Sequence, residues 1–138
     1  MAAAFAALWG PQAGAFFLAQ GASFSVVLLQ TVTYTHHYGL VRDVSPATGR
    51  YEPESVFNSW TYDGRFSNAL LLNGQRHAAH HAQPQLPYYA LQPQPQAPQL
   101  PCNIVLSVLM ALVPPLWFAQ MNPRAAAANA ARRAHAHE

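Results

Sequence analysis

The sequence predicts an all-α membrane protein with one transmembrane helix, a cytosolic helix that bears histidines, a Pro/Gln-rich strap and an interfacial or re-entrant helix. Three observations carry this prediction. Only 9% of the residues are charged, against about 25% in ordinary soluble domains. No charged residue occurs in the first 41 positions, where a long apolar run lies. Three of the seven histidines fall within five positions, at a spacing that suits one face of a helix.

Length and charge narrow the possible functions. The 138 residues allow one small domain, and the formal net charge of +2 is too mild to indicate binding to nucleic acid. No basic patch is interleaved with stacking aromatic residues, so we expect no nucleic-acid partner. The single cysteine, Cys102, excludes an internal disulfide and a zinc site built from cysteines.

The first part of the chain is apolar. We interpret residues 1–12 as an apolar linker, or else as the end of a preceding apolar element. Residues 13–35 are interpreted as the transmembrane helix, because about 20 helical residues span the hydrocarbon layer. A buried helix of a soluble protein is the alternative. All seven basic residues follow at Arg42 or later, and this bias predicts that the C-terminal end of the helix is cytoplasmic. We therefore expect contact with membrane lipid and a place in the inner or plasma membrane.

Residues 36–82 are expected to form a cytosolic region that carries histidines. Ser67 is a plausible N-cap for a helix that runs through the stretch QRHAAHH and ends at Pro84. In such a helix His77, His80 and His81 share one face, and neutral imidazole suits iron, zinc and copper. The spacing thus indicates a metal site, although a solvated polar face rich in histidine remains the alternative.

The last third of the chain alternates between polar and apolar segments. Residues 83–102, with six prolines and six glutamines up to Pro101, predict an extended strap over the cytosolic face or else a free linker. Residues 103–121 predict an interfacial or re-entrant helix kinked at Pro114-Pro115 and stopped by Pro123. Residues 122–138 are expected to be a frayed Ala-rich tail, in which His135 and His137 bind stray metal at most.

Several separate stretches, in this order, resemble the C-terminal part of the integral-membrane alkane monooxygenases, a histidine-rich di-iron family related to the fatty acid desaturases. YTHHYGLVR at residues 34–42 looks like the family's NYVEHYGLLR. Asn68 to Leu72 leading into QRHAAHHA looks like NLLL leading into QRHSDHHA. The pieces LP, PPLW and MNPR also match, and the resemblance covers roughly residues 14–124.

The resemblance implies four iron ligands. His77, His80 and His81 match the third histidine box, and His37 matches the histidine of the HYG motif. His36 stands where the family usually has Glu, and Ala78-Ala79 replace Ser-Asp of the third box. Two further boxes have no counterpart in the sequence. The resemblance therefore implies an all-α membrane protein fragment that holds at most part of a di-iron site and is inactive alone.

The resemblance also implies a reaction and its partners. O2 and a medium-chain n-alkane would be the substrates, a 1-alkanol the product, and rubredoxin the electron donor. Four cationic side chains are candidates to receive that acidic carrier, or else anchor the chain at the membrane: Arg42, Arg50, Arg65 and Arg76. Two alternatives stay open. One is a related membrane di-iron enzyme, such as a xylene monooxygenase, fatty-acid hydroxylase or desaturase, and the other is a non-catalytic membrane protein with an incidental histidine cluster.

Overall fold

The computed structural model describes residues 1–135, apart from the side chain of Phe5, so the prediction made for His137 lies outside the described residues. The chain divides into two compact units, Met1–Thr33 and Tyr34–Glu138. Six α-helices lie in the described part: α1 (Ala2–Trp9), α2 (Pro11–His37), α3 (Arg65–Leu70), α4 (His77–Ala82), α5 (Ile104–Ala111) and α6 (Pro114–His135). Short 3-10 helices lie at Val56–Asn58 and Tyr88–Ala90. Within residues 1–135 there are isolated β-bridges but no strand, so the predicted all-α class is confirmed.

The first unit begins with a helix where the sequence predicted a linker. Residues 2–9 form α1, and Gly10, at φ +91°, separates it from α2 in a conformation that favours glycine. A Cβ on Gly14 would lie 2.8 Å from the Cβ of Ala6, so the two helices approach each other closely at this point. The prediction was wrong because an Ala-rich run has high helix propensity and here finds a neighbouring helix to pack against.

α2 is long enough to cross a membrane. Its 27 residues correspond to about 40 Å of helix, more than the hydrocarbon layer requires. It is the one helix of the described residues that is long and apolar enough to do so, and none of its apolar window is buried inside the protein. The hydroxyl of Thr31 donates to the carbonyl oxygen of Val27 at 2.7 Å, which satisfies this polar group within the helix. An exposed apolar surface of this kind suits contact with lipid.

The core of the second unit forms around two tryptophans. Trp60 and Trp117 are almost completely buried, together with Met121. The backbone N–H of Trp60 donates to the carbonyl oxygen of His36 at 2.7 Å, and its indole N–H donates to the carbonyl oxygen of Tyr38 at 2.8 Å. Trp60 therefore fixes the loop before α3 against the C-terminal end of α2.

Two short helices replace the single helix predicted from Ser67 to His81. α3 begins at Arg65 after Gly64, and the chain then turns through Leu72 and Asn73, which both have positive φ values of +50° and +57°. The prediction was wrong because long-range contacts stabilise this turn. Asn73 donates its side-chain amide to the carbonyl oxygen of Tyr88 at 3.0 Å. α4 ends at Ala82, two residues before Pro84.

Buried Gln75 connects three parts of the second unit. Its carbonyl oxygen accepts hydrogen bonds from the backbone N–H of Tyr62 and the hydroxyl of Thr61. Its side-chain oxygen accepts from the backbone N–H of Ile104 at 2.8 Å, at the start of α5. Gln75, two residues before the start of α4, is thereby tied both to the loop after Trp60 and to α5, and these contacts position the histidine helix.

The Pro/Gln-rich segment is packed rather than free. Leu91, Ala97 and Leu100 are buried. Thr61 donates its N–H to the carbonyl oxygen of Pro98 and accepts from the N–H of Leu100, both at 2.9 Å. Arg76 adds a hydrogen bond from Nη1 to the carbonyl oxygen of Leu91 at 2.6 Å. The segment is therefore a strap that wraps this unit, as the sequence predicted.

The C-terminal region consists of two helices instead of one kinked helix and a frayed tail. α5 ends at Ala111, and Pro114 and Pro115 occupy the first positions of α6, where the missing N–H costs nothing. Pro123 lies inside α6 and does not stop it. Both predictions were wrong because they relied on the tendency of proline to break a helix. They took no account of the long-range contacts that stabilise α6.

Those contacts run along the segment that follows α2. Tyr38 donates its hydroxyl to Oδ1 of Asn122 at 2.5 Å. Asn129 donates to the carbonyl oxygen of Gly39 at 2.8 Å and accepts from the N–H of Val41 at 3.2 Å. Nη2 of Arg132 lies 2.6 Å from Oδ2 of Asp43. These polar contacts, made by three residues on one face of α6, offset the cost of about 3 kcal/mol that an internal proline brings, and the helix continues to His135.

Candidate metal centre

Two helices bring the predicted ligands together. His37 is the last residue of α2, and His77 and His81 lie one turn apart on α4. Nε2 of His77 lies 3.2 Å from Nε2 of His37 and 3.0 Å from Nε2 of His81. The three ring nitrogens all lie within 4.8 Å of one another. Three of the four predicted ligands therefore converge on one point, and the arrangement could hold a metal ion.

The outer nitrogens of two of these rings are held by acceptors. Nδ1 of His81 lies 2.5 Å from Oε2 of Glu54, and Nδ1 of His37 lies 3.1 Å from the carbonyl oxygen of Asn58. Because a carbonyl oxygen and an ionised carboxylate only accept, both Nδ1 atoms must carry the proton. In the neutral rings the Nε2 atoms then present lone pairs toward His77.

His77 itself is kept neutral. The pKa of its imidazole is lowered from 6.5 to about 2, chiefly by burial and to a smaller extent by four neighbouring rings: His36, His81, His37 and His80. A neutral His77 has one N–H at most, so its Nε2 can donate to only one of the two lone pairs that face it. A cation between the three Nε2 atoms would satisfy every one of them.

The spacing of the nitrogens also fits a metal ion. At a metal–nitrogen bond of about 2.1 Å, two imidazole nitrogens bound at right angles lie about 3.0 Å apart. The separations of 3.0 and 3.2 Å match this value. Neutral imidazoles bound through Nε2, with Nδ1–H donated to a carboxylate or a carbonyl, are the usual arrangement of histidine ligands. The residues present therefore fit a metal.

A family model described as fatty acid desaturase matches residues 1–97, well over half of the chain. The chain belongs to the fatty acid desaturase family. The matched residues include α2 and the whole three-histidine cluster. Membership of this family, together with the exposed apolar surface of α2, makes this desaturase-family chain a membrane protein.

The relatives of this desaturase-family chain include several alkane 1-monooxygenases. It is 40% identical to alkane 1-monooxygenase 2 of Alcanivorax borkumensis over 123 residues. These residues make up 89% of this chain and 32% of the relative. It is 41% identical over 109 residues to alkane 1-monooxygenase 1 of Pseudomonas aeruginosa, covering 79% of this chain and 28% of the relative. The resemblance inferred from the motifs is confirmed. The chain spans about a third of the length of the curated relatives it matches.

A relative named for a different substrate also matches. The hydroxylase component of a xylene/toluene monooxygenase from Pseudomonas putida is 33% identical over 92 residues, which covers 67% of this chain and 23% of the relative. Similarity to both kinds of monooxygenase shows that this region of the desaturase-family chain is shared between proteins named for different substrates.

Two further histidines lie beside the cluster. His80 is exposed on α4, with its ring centroid 6.2 Å from that of His77, and its nitrogens do not join the converging three. His36 is buried, and its ring stacks on His77 with centroids 4.2 Å apart. His36 therefore helps to bury His77, the central ring of the cluster, and its position next to His37 in the sequence did not suggest this contact.

Sequence reasoning missed the acceptors of the cluster. Glu54 and Asn58 lie in a polar loop, and no spacing rule connects either residue to His37 or His81. The replacement of Ser-Asp by Ala78-Ala79 indicated that a carboxylate was lost from the histidine helix. Glu54 brings a carboxylate to the same helix from a distant loop, and only the folded structure reveals this.

The four arginines predicted either to receive an acidic carrier or to anchor the chain at the membrane differ in what they contact. Nη1 of Arg42 lies 3.5 Å from Oε1 of Glu54, and the guanidinium lies over the ring of Tyr51. Arg76 binds Asp63 at 2.9 Å and the strap. Arg50 and Arg65 are exposed. Arg76 thus holds the fold together, whereas Arg50 and Arg65 extend from the surface.

Proposed function

We propose that this chain forms part of the iron centre of a membrane monooxygenase that converts n-alkanes to 1-alkanols. The observation that carries the proposal is the convergence of three imidazoles, with one ring nitrogen of each within 4.8 Å of the others, in a chain about 40% identical to alkane 1-monooxygenases. Iron is preferred over zinc because the reaction needs redox chemistry. A methyl C–H bond offers no leaving group and no acidic proton, so acid–base side chains alone cannot attack it.

In this proposal the residues of the chain hold and shield the metal. His37, His77 and His81 would bind iron through Nε2, and iron would supply the redox chemistry that activates O2. The acceptors Glu54 and Asn58 keep the Nδ1 protons away from the metal side. One oxygen atom would enter the terminal C–H bond, and the other would leave as water with electrons from rubredoxin. His80, exposed on the same helix, is proposed as a ligand of a second iron.

Activity is expected to need more than the histidines of this chain. The described residues bring three imidazoles to one point, whereas a di-iron site needs ligands for two ions. The single helix α2 also offers no enclosed channel for an alkane. We therefore propose that the isolated chain binds metal but is inactive.

The histidines are proposed to lie on the cytoplasmic side. The apolar part of α2 carries no charge, and all seven basic residues follow it, which is the distribution expected when its C-terminal end is cytoplasmic. This side would give rubredoxin access. The exposed Arg50 and Arg65 are the better candidates for receiving an acidic carrier, because Arg42 and Arg76 pair with carboxylates of the chain itself.

A hybrid enzyme tests the proposed function. This chain would replace the matched third of the Alcanivorax borkumensis alkane 1-monooxygenase 2, with rubredoxin and its reductase supplied. Cells that carry the hybrid are expected to form 1-octanol from octane, and His77→Ala should abolish the product while His135→Ala should not. A hybrid that inserts into the membrane and binds iron, yet forms no 1-octanol, would contradict the proposal.

The second candidate function is oxidation of a methyl group on an arene. It is favoured by the 33% identity to the xylene/toluene monooxygenase component. The same hybrid, offered toluene or xylene in place of octane, distinguishes the two. Benzylic alcohol without 1-octanol would support the second candidate.

A further inference from the structure

One short turn contacts two of the three converging histidines, although these lie on different helices. Oε2 of Glu54 lies 2.5 Å from Nδ1 of His81 on α4, and the carbonyl oxygen of Asn58 lies 3.1 Å from Nδ1 of His37 on α2. Only three residues separate Glu54 from Asn58. A rigid turn of this length therefore fixes the orientation of two rings relative to each other.

The turn has its own hydrogen bonds. The hydroxyl of Ser55 accepts from the N–H of Phe57, and Oδ1 of Asn58 accepts from the N–H of Ser55 at 2.8 Å and from its hydroxyl at 2.9 Å. This reciprocal arrangement is a capping box on the 3-10 helix Val56–Asn58. Nδ2 of Asn58 also donates to the carbonyl oxygen of Val41 at 3.3 Å. Asn58, whose carbonyl oxygen faces His37, is thereby held in place independently of the histidines.

The carboxylate of Glu54 is held from both sides. Nη1 of Arg42 lies 3.5 Å from Oε1, while Oε2 faces His81. α4 has the sequence HAAHHA and contains no acidic residue. Glu54 is thus the carboxylate that reaches this histidine helix, and it does so from a loop more than twenty positions away in the chain.

We propose that residues 54–58 are a positioning turn for the metal centre, in which Glu54 orients His81 and the carbonyl of Asn58 orients His37. The inference rests on the proposed metal site and names the residues that control its affinity. A carboxylate that accepts from Nδ1–H fixes the tautomer of the ring and raises the basicity of Nε2. Glu54 does not contact the metal position itself, so its effect passes through His81.

Metal affinity of the whole chain tests this proposal. The protein is purified in detergent without a histidine tag, and Co²⁺ is titrated in the presence of a competing chelator while the visible spectrum of bound Co²⁺ is recorded. Glu54→Ala is expected to weaken binding about 10- to 100-fold, the range measured for such hydrogen-bond partners of metal ligands. Glu54→Gln should weaken it less, because the amide oxygen still accepts from Nδ1–H but lacks the charge.

Two further variants separate positioning from general damage. Glu52→Gln is the matched control, because Glu52 lies in the same loop but faces Arg132, at 3.9 Å, instead of a histidine. It should leave affinity and spectrum unchanged. Asn58→Ala removes the capping-box hydrogen bonds and should weaken binding several-fold. If Glu54→Ala fails to fold by circular dichroism, Glu54→Gln carries the comparison.

The outcomes distinguish the positioning turn from the metal centre on which it rests. If the wild-type chain binds no Co²⁺, the proposed metal centre itself is refuted. A second outcome is that the wild-type chain binds Co²⁺ with the same affinity and spectrum as Glu54→Gln and Glu54→Ala. That result refutes the positioning turn but not the metal centre. A loss of Co²⁺ affinity that is smaller in Glu54→Gln than in Glu54→Ala, with affinity unchanged in Glu52→Gln, supports the positioning turn.

Discussion

Nε2 of His37 lies 3.2 Å from Nε2 of His77, although 40 positions separate the two residues in the chain. The contact joins the C-terminal end of α2, the helix suited to a membrane, with the start of the short helix α4. It depends on the intervening loop, where Trp60 binds the carbonyl oxygen of His36 and Gln75 ties the start of α4 to Thr61. The cluster of His37, His77 and His81 therefore depends on the second unit as a whole.

Individual histidines of α4 are expected to differ in their effect on metal binding. His81→Ala removes one of three converging nitrogens and should lower Co²⁺ affinity by about 100-fold or more, since neighbouring water replaces the imidazole poorly. His80→Ala should change it less than about threefold, because His80 is exposed and its nitrogens do not join the cluster. The measurement is a chelator-competition titration on the detergent-solubilised chain. Equal losses in the two variants would show that His80 binds the same ion.

Gly39 is expected to be required at the end of α2. It has a φ of +69°, and a Cβ there would lie 2.8 Å from the Cβ of Ala125 on α6. The backbone strain costs about 1 kcal/mol, and forcing an extra methyl into the contact adds about 1–3 kcal/mol. Gly39→Ala should therefore lower the free energy of unfolding by about 3 kcal/mol, measured by denaturant titration in detergent.

Gly49 provides the matched control for that prediction. Its φ is +64°, but a Cβ added to it would meet no atom within 4 Å, so Gly49→Ala should cost only the backbone term of about 1 kcal/mol. Adding Ala125→Gly to Gly39→Ala should restore the unfolding free energy that the crowded contact between the two Cβ atoms removes, once the effect of Ala125→Gly alone is subtracted. Equal destabilisation by Gly39→Ala and Gly49→Ala would show that the contact with Ala125 is unimportant.

The end of α6 is expected to depend on Arg132. Its side chain is almost buried and lies 2.6 Å from Asp43, whereas the neighbouring Arg133 is exposed. Arg132→Leu should lower the free energy of unfolding by about 1–2 kcal/mol, a moderate value because Asp43 is half exposed. It should also speed amide hydrogen exchange in residues 126–135. Arg133→Leu should change neither, and a similar effect of both variants would argue against the Arg132–Asp43 pair.

Local patterns predicted those parts of the structure that depend on spacing along one helix. The i, i+4 separation of His77 and His81 was enough to place both rings on one face of a helix, and the uncharged run was enough to predict α2. Local rules failed at the loop through Leu72 and at Pro123. In both places hydrogen bonds to distant residues outweigh propensity: Asn73 binds Tyr88, and Asn129 binds Gly39 across 90 positions.

The acceptors of the histidines could not be predicted for a related reason. Glu54 and Asn58 reach the site because the loop folds back onto two helices, and nothing in their local sequence encodes that return. His37 was predicted through the resemblance of its motif to a known family, since its spacing to His77 carries no periodicity. Sequence patterns do not predict which polar residues of a distant loop reach this site.

Binding of iron by His37, His77 and His81 is tested by the iron content of the untagged chain after anaerobic loading with Fe²⁺ and removal of free metal. We expect about one tightly bound iron per chain in the wild type, retained in His135→Ala and lost in His77→Ala, with all three proteins folded by circular dichroism. Equal iron in His77→Ala and the wild type would show that these histidines do not bind it.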